Sequence, residues 1–191
     1  MKLSHPYQFL SPSLQNRAFA IMLPLTLLAM YVEQVTGKPL VSDAAQSGIL
    51  SFEFAGTLAA AQAMVKSWGQ PGQVYAGLNL GFDFVYIITY VVAIGLGCVI
   101  VARGGLLSQV GIILAWAMFA AGLFDCIENY NLIQILLGNG QEINAMLAQW
   151  CATVKFAIVI LGLAYFFIGG AIVGVRKLSA NYVNLTNEKQ E

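Results

Sequence analysis

Four stretches of this sequence are long and apolar enough to cross the ~30 Å hydrocarbon core of a bilayer. They run from about Ala18 to Val35, Leu78 to Ala102, Gly111 to Leu137 and Leu147 to Val175, the first interrupted by Pro24. Backbone polar groups find no water at that depth, so such stretches must close their hydrogen bonds internally as helices. Charged residues are 9% of the chain and hydrophobic residues 59%, where a soluble domain carries about 25% charged residues. The expected fold is therefore all-α: a single integral membrane domain over residues 1–175, built as a four-helix bundle, followed by a polar cytoplasmic tail over 176–191 that is expected to be mobile from Tyr182 onward.

The connections are short except for one. Gly104-Gly105 makes a tight turn between the second and third spans, and Gly138-Asn139-Gly140 offers C-cap residues to the third. The long connection from Thr36 to Asn79 holds a helical pattern from Ser47 to Trp68. Glu53, Gln62 and Lys66 make that pattern too polar to span easily, so it reads as an extra interfacial helix, closed by a Pro71-Gly72 turn. Repeats are absent beyond a shared Phe-Asp at 82–83 and 124–125, which is too short to count.

Basic residues set the orientation. With both termini in the cytoplasm, the inner side holds Lys2, Arg17, Arg103, Arg176, Lys177 and Lys189, and the outer side only Lys38 and Lys66. Trp68, Tyr75 and Trp150 then fall near the outer interface, and the plasma membrane is the expected location. A cleaved leader is the competing reading of the first span, with Val35-Thr36-Gly37 as a weak cleavage-like site. The 17-residue lead-in is long for a signal, which favours retention. Asn184-Leu185-Thr186 fits a glycosylation sequon but falls on the cytoplasmic side in this orientation.

Composition also excludes. Formal net charge is zero, which points away from nucleic acid. The one histidine, His5, lies in the N-terminal tail. A His-rich metal site, a Ser-His-Asp triad and bis-histidine haem are thereby set aside. Cys98, Cys126 and Cys151 are odd in number and sit in or beside apolar segments, as buried thiols do.

Within this frame, Asp125, Glu128 and Asn129 stand out inside the third span. Offsets of three and four residues put them on one helical face. An ionisable group at the bilayer centre costs about 2.5–3.5 kcal/mol, so that face must turn toward protein. At 1.5 Å per residue Asp125 lies about 21 Å above Gly111, leaving roughly 9 Å to the outer boundary. Asp83 comes about 7 Å below the outer start of its span and Lys155 about 12 Å below its own, with Glu33 ending the first span at a similar level. One layer of polar groups in the outer third is expected.

The small residues agree with that facing. Asp83, Tyr90 and Gly97 recur every seven residues, as do Lys155, Gly162 and Gly169, while Gly111, Ala115, Met118, Gly122, Asp125 and Asn129 follow one stripe. A packed inner half beneath an outward-opening polar pocket follows. The candidate ligand-binding residues are Asp83, Tyr90, Asp125, Glu128, Asn129, Lys155 and Glu53. Lys155 pairs with Asp125 or Glu128 in the preferred reading, or else snorkels to the interface. Glu33 can face headgroups, and Glu53 reads first as solvated or interfacial. Several carboxylates against one lysine require bound protons, a bound cation or access of water. Oxygen ligands without histidine suit Ca²⁺, Mg²⁺ or Na⁺ over zinc, and no catalytic or metal role is assigned to any residue.

Phe52-Glu53 ahead of Trp68-Gly69, Phe82-Asp83 with Tyr90, Asp125-Cys126-Ile127-Glu128-Asn129 and Thr153-Val154-Lys155-Phe156 occur in order over most of residues 47–170. In this the chain resembles a family of small polytopic membrane proteins of no assigned activity. That resemblance implies a four-helix membrane protein and no chemistry. The expected function is binding of a small ligand, lipid headgroup or cation, with membrane lipid as a partner and a homo-oligomer allowed. A proton- or cation-coupled transporter and an intramembrane enzyme acting on a lipid or isoprenoid are the alternatives. A purely structural polar network is the bland reading of the third-span trio.

Overall fold

The computed structural model describes residues 3–105 and 107–188. These form α1 (Pro12–Gly37), a 3₁₀ turn (Lys38–Leu40), α2 (Ile49–Glu53), α3 (Leu58–Arg103), α4 (Ser108–Leu136) and α5 (Glu142–Glu188), with no strand among the described residues. Four of the helices are long and apolar enough to cross a membrane: Pro12–Leu40, Leu58–Arg103, Ser108–Leu136 and Glu142–Arg176. α3 packs along α4 and α4 along α5, α3 also meets α5, and α1 lies against the outer side of α3. Ile21, Leu25, Leu27, Leu28 and Tyr31 of α1 stay exposed, as the lipid-facing side chains of a peripheral membrane helix do.

Local chemistry explains the ends. Ser11 caps α1 by accepting from the Leu14 amide, and Pro12 occupies the first turn, where its missing N–H costs nothing. Pro24 lies inside α1 without ending it. Gly138, at φ +81°, closes α4 in the left-handed conformation that glycine reaches without a Cβ clash. The Asn139 amide then reaches back to the Gln134 carbonyl.

The interfacial helix expected over 47–68 is not one helix. The chain breaks at 54–57, where Gly56 takes φ +70° and Thr57 caps the next helix through the Ala60 amide. Leu58 to Trp68 then leads into the second span across a kink at Gly69 (φ 61°, ψ −178°), with Pro71 in the new first turn. The expected Pro71-Gly72 turn is thus a helix start, because proline is tolerated there and Gly69, two residues earlier, supplies the unusual dihedral. Trp68 is buried: its indole nitrogen donates to the Leu40 carbonyl at 2.6 Å and its ring packs edge-on against Phe52. Arg176 to Glu188, expected as a tail, continues α5, since that stretch holds neither glycine nor proline. Residues 189–191 of that expected tail lie outside the described residues.

The N-terminal segment contributes a side chain that its sequence did not advertise. Tyr7 is buried between α3 and α4, its ring near Phe119 and its hydroxyl donating to the Val91 carbonyl at 3.4 Å. Gly95 leaves room for that ring, since a Cβ there would meet the Tyr7 oxygen at 2.5 Å. Gln15 holds the turn by donating to the Tyr7 and Leu10 carbonyls. Arg103 ties the end of α3 to the start of α1 by donating to Asn16 and the Pro12 carbonyl.

Among the described residues, three apolar clusters form the core. One lies toward α2 (Phe52, Leu80, Leu132, Ile135), one at mid-bundle (Ile87, Val91, Met118, Ala121) and one beyond it (Leu96, Val99, Ala115). Where glycines face neighbouring helices they admit bulky partners. A Cβ at Gly97 would meet the Phe166 ring at 2.7 Å, one at Gly111 the Tyr165 ring, and one at Gly122 the Val91 and Ile87 methyls. The expected packed half is present and rests on these approaches.

Candidate functional site

Between the first two apolar clusters, one level of the bundle is polar. The sequence positions make this unavoidable: Asp83 falls between Leu80 and Ile87 on α3, and Asp125, Glu128 and Asn129 fall between Ala121 and Leu132 on α4. Helical spacing keeps each on the inward face of its apolar neighbours three and four residues away. Asp125, Glu128, Asn129 and Lys155 are all buried.

Lys155 is the hub. Its Nζ donates to Asp125 Oδ1 at 2.6 Å and lies 2.9 Å from each oxygen of Glu128. Glu53 Oε2 approaches the same ammonium to 3.6 Å. The Phe156 ring sits 5.0 Å from Nζ and stacks on Phe54 at 5.8 Å. The pairing expected for Lys155 is therefore formed, with both candidate acids at once. Asp125 Oδ2 accepts from the Tyr90 hydroxyl at 2.9 Å. The Asn129 amide donates to Asp83 Oδ2, joining α4 to α3 a second time.

All seven residues singled out in the sequence thus meet at one level, Glu53, Tyr90, Asp125, Glu128 and Lys155 in one network and Asp83 with Asn129 as a pair beside it, drawn from α2, α3, α4 and α5. Two readings are corrected. Glu53 is not solvated: its side chain is 12% exposed, because the break at 54–57 turns α2 over the bundle and Phe52 anchors it in the core. Burial pushes the Glu53 carboxyl above its ordinary value, and Lys155 draws it partly back. Glu33 does not simply face headgroups; it lies half-buried in the wall of a cavity, with Oε1 buried and lacking a hydrogen-bond partner among the described residues.

That cavity, about 240 Å³, opens beside the network. Its acidic wall is Glu33, Glu53, Asp83 and Asp125, and Lys155 and Asn129 complete the polar side. Tyr86, Tyr90 and Phe156 supply aromatic surface, and Ile49, Leu50, Leu80 and Val159 apolar surface. Glu128 lies behind Lys155, fully buried, and does not line it. Asn79 fixes the α1 side by donating to the Glu33 carbonyl at 3.0 Å and to Thr36 Oγ1 at 2.8 Å.

Asn79, Tyr86 and Phe156 were missed from sequence. Asn79 and Tyr86 sit four residues before and three after Asp83, so extending the Asp83 face along its helix would have found them. Phe156 carries no such signal beyond its place next to Lys155. Among the described residues, no three His, Cys, Asp or Glu side chains are grouped to hold a metal ion.

The fold and this network define an all-α bundle with four helices of membrane-spanning length and an acidic cavity walled by all of them. Comparison with protein-family models, curated proteins and solved structures finds no match to the chain.

Proposed function

We propose that this is a multi-pass plasma-membrane protein that binds a small ligand in its acidic cavity, with both termini cytoplasmic and the α2 end facing out. The observation that carries the reading is the cavity wall. Four carboxylates, two amides and two tyrosines converge there on about 240 Å³ of space, although a structural network needs only enough room for its own side chains. Orientation rests on Arg17, Arg103 and Arg176 gathering at the end opposite α2, where Lys38 and Lys66 lie. Native mass spectrometry of the purified protein tests the binding. A retained small molecule or ion is expected in the unmodified chain and is lost in Val159→Trp, which fills the cavity. Equal retention in that variant would refute the reading.

One observation favours an enzyme as the second reading. The Tyr90 hydroxyl is held 2.9 Å from an Asp125 carboxylate that also accepts from Lys155, an arrangement suited to moving a proton. Turnover of an added lipid that survives in wild type and disappears in Tyr90→Phe would support it.

A further inference from the structure

The cavity is not balanced in charge. Among the described residues Lys155 is the one cation in contact with the polar layer, and its ion pairs run to Asp125, Glu128 and Glu53. Glu33 and Asp83, facing the space from α1 and α3, take part in no ion pair among the described residues. Asp83 accepts one amide hydrogen bond, and Glu33 Oε1 is buried with no donor. An uncompensated carboxylate at low dielectric is costly, so a site built this way favours a positively charged guest.

The shape narrows the guest further. At about 30 Å³ per water, a space of about 240 Å³ holds the equivalent of eight waters, far more than one bare ion. It also falls short of the roughly 300–1,000 Å³ typical of pockets enclosing a whole drug-sized ligand. The space therefore suits a headgroup with part of its molecule outside. Tyr86, Tyr90 and Phe156 offer the ring faces that attract an ammonium. Ile49, Leu50 and Val159 continue the wall as apolar surface. α1 and α5 meet at the Phe19–Phe166 ring pair, and nearer α2 the cavity separates them.

We infer that the ligand is an amphiphilic amine whose ammonium sits between Glu33 and Asp83 and whose hydrocarbon tail leaves between α1 and α5 into lipid. This rests on the binding function proposed above and adds the chemical class. A free metal ion fits less well, because no metal-type cluster forms among the described residues. An anionic headgroup would be set against Glu33 and Asp83, and a neutral one would offer them no ion pair.

The test uses the full chain in an uncharged maltoside detergent, with empty micelles as background. Radiolabelled hexadecylamine is the probe, and hexadecanol, propylamine and calcium chloride are competitors. Saturable hexadecylamine binding is expected, displaced poorly by the other three. Asp83→Asn and Glu33→Gln should each weaken it by about tenfold or more, and Asp43→Asn, exposed and away from the cavity, should leave it unchanged. Should Asp83→Asn fail to fold, Glu33→Gln on the peripheral helix α1 carries the comparison alone. Absence of saturable binding, equal displacement by hexadecanol, propylamine or calcium, or unchanged affinity in the folded neutral variants would each overturn the amine. If hexadecanol binds and Val159→Trp abolishes it, the cavity reading survives while the amine class falls. If no probe binds and Val159→Trp releases no retained molecule, both fall.

Discussion

Replacing Lys155 with methionine would remove one ammonium and leave Asp125, Glu128 and Glu53 facing each other. At an effective dielectric of about 20, each contact at 2.6–3.6 Å is worth roughly 5–6 kcal/mol in gross attraction. Desolvation of the four groups offsets most of that sum, so it is not the stability of the network. The measurable quantity is the cost of stranding charges once their partner is gone, about 3–5 kcal/mol for a broken buried pair. Because three carboxylates share this lysine, the upper part of that range is expected. Denaturant unfolding in maltoside micelles measures it. Adding Glu128→Gln to Lys155→Met should recover about 1–3 kcal/mol, since Glu128 is fully buried and both of its oxygens lie at 2.9 Å. A loss below about 1 kcal/mol for Lys155→Met, or no recovery in the double variant, would refute the hub.

Other outcomes follow from the same structure. Glu53→Gln should flatten part of the pH dependence of unfolding. Its folded-state carboxyl titrates above the unfolded one, so wild-type stability falls as pH rises from about 4.5 toward the folded value, and the variant lacks that fall. A pH–stability profile of the two proteins checks this, and parallel curves would contradict it. Tyr7→Ala should cost about 3–5 kcal/mol and Tyr7→Phe about 1 kcal/mol or less, because the ring is buried while the 3.4 Å bond is long. Thermal unfolding separates the two. Gly97→Ala should cost about 1–3 kcal/mol by driving a methyl into the Phe166 ring, read in the same melt.

The polar layer was legible because helical periodicity and rise are rigid. With Asp83, Asp125 and Lys155 at similar calculated heights, and small residues marking the inward faces, few arrangements other than a shared level were open. Glu53 and Glu33 were harder. Glu33 depends on how α1 packs along α3, and Glu53 on where the long connection breaks, where the decisive events are single backbone choices at Gly56 and Gly69. Such choices leave a weaker trace in sequence than a repeated stripe does. Tyr7 was illegible for a related reason: a short turn carries no period, and only the gap at Gly95 shows where the ring goes.

By itself the sequence determined four helices, their membrane-spanning length and the inward turn of the acidic faces, since each follows from the cost of exposing polar groups to hydrocarbon. Tertiary structure alone decided that α1 is peripheral, that α2 folds over the lysine, and that space remains beside the network. Those depend on how separate helices share surface, which no local pattern encodes.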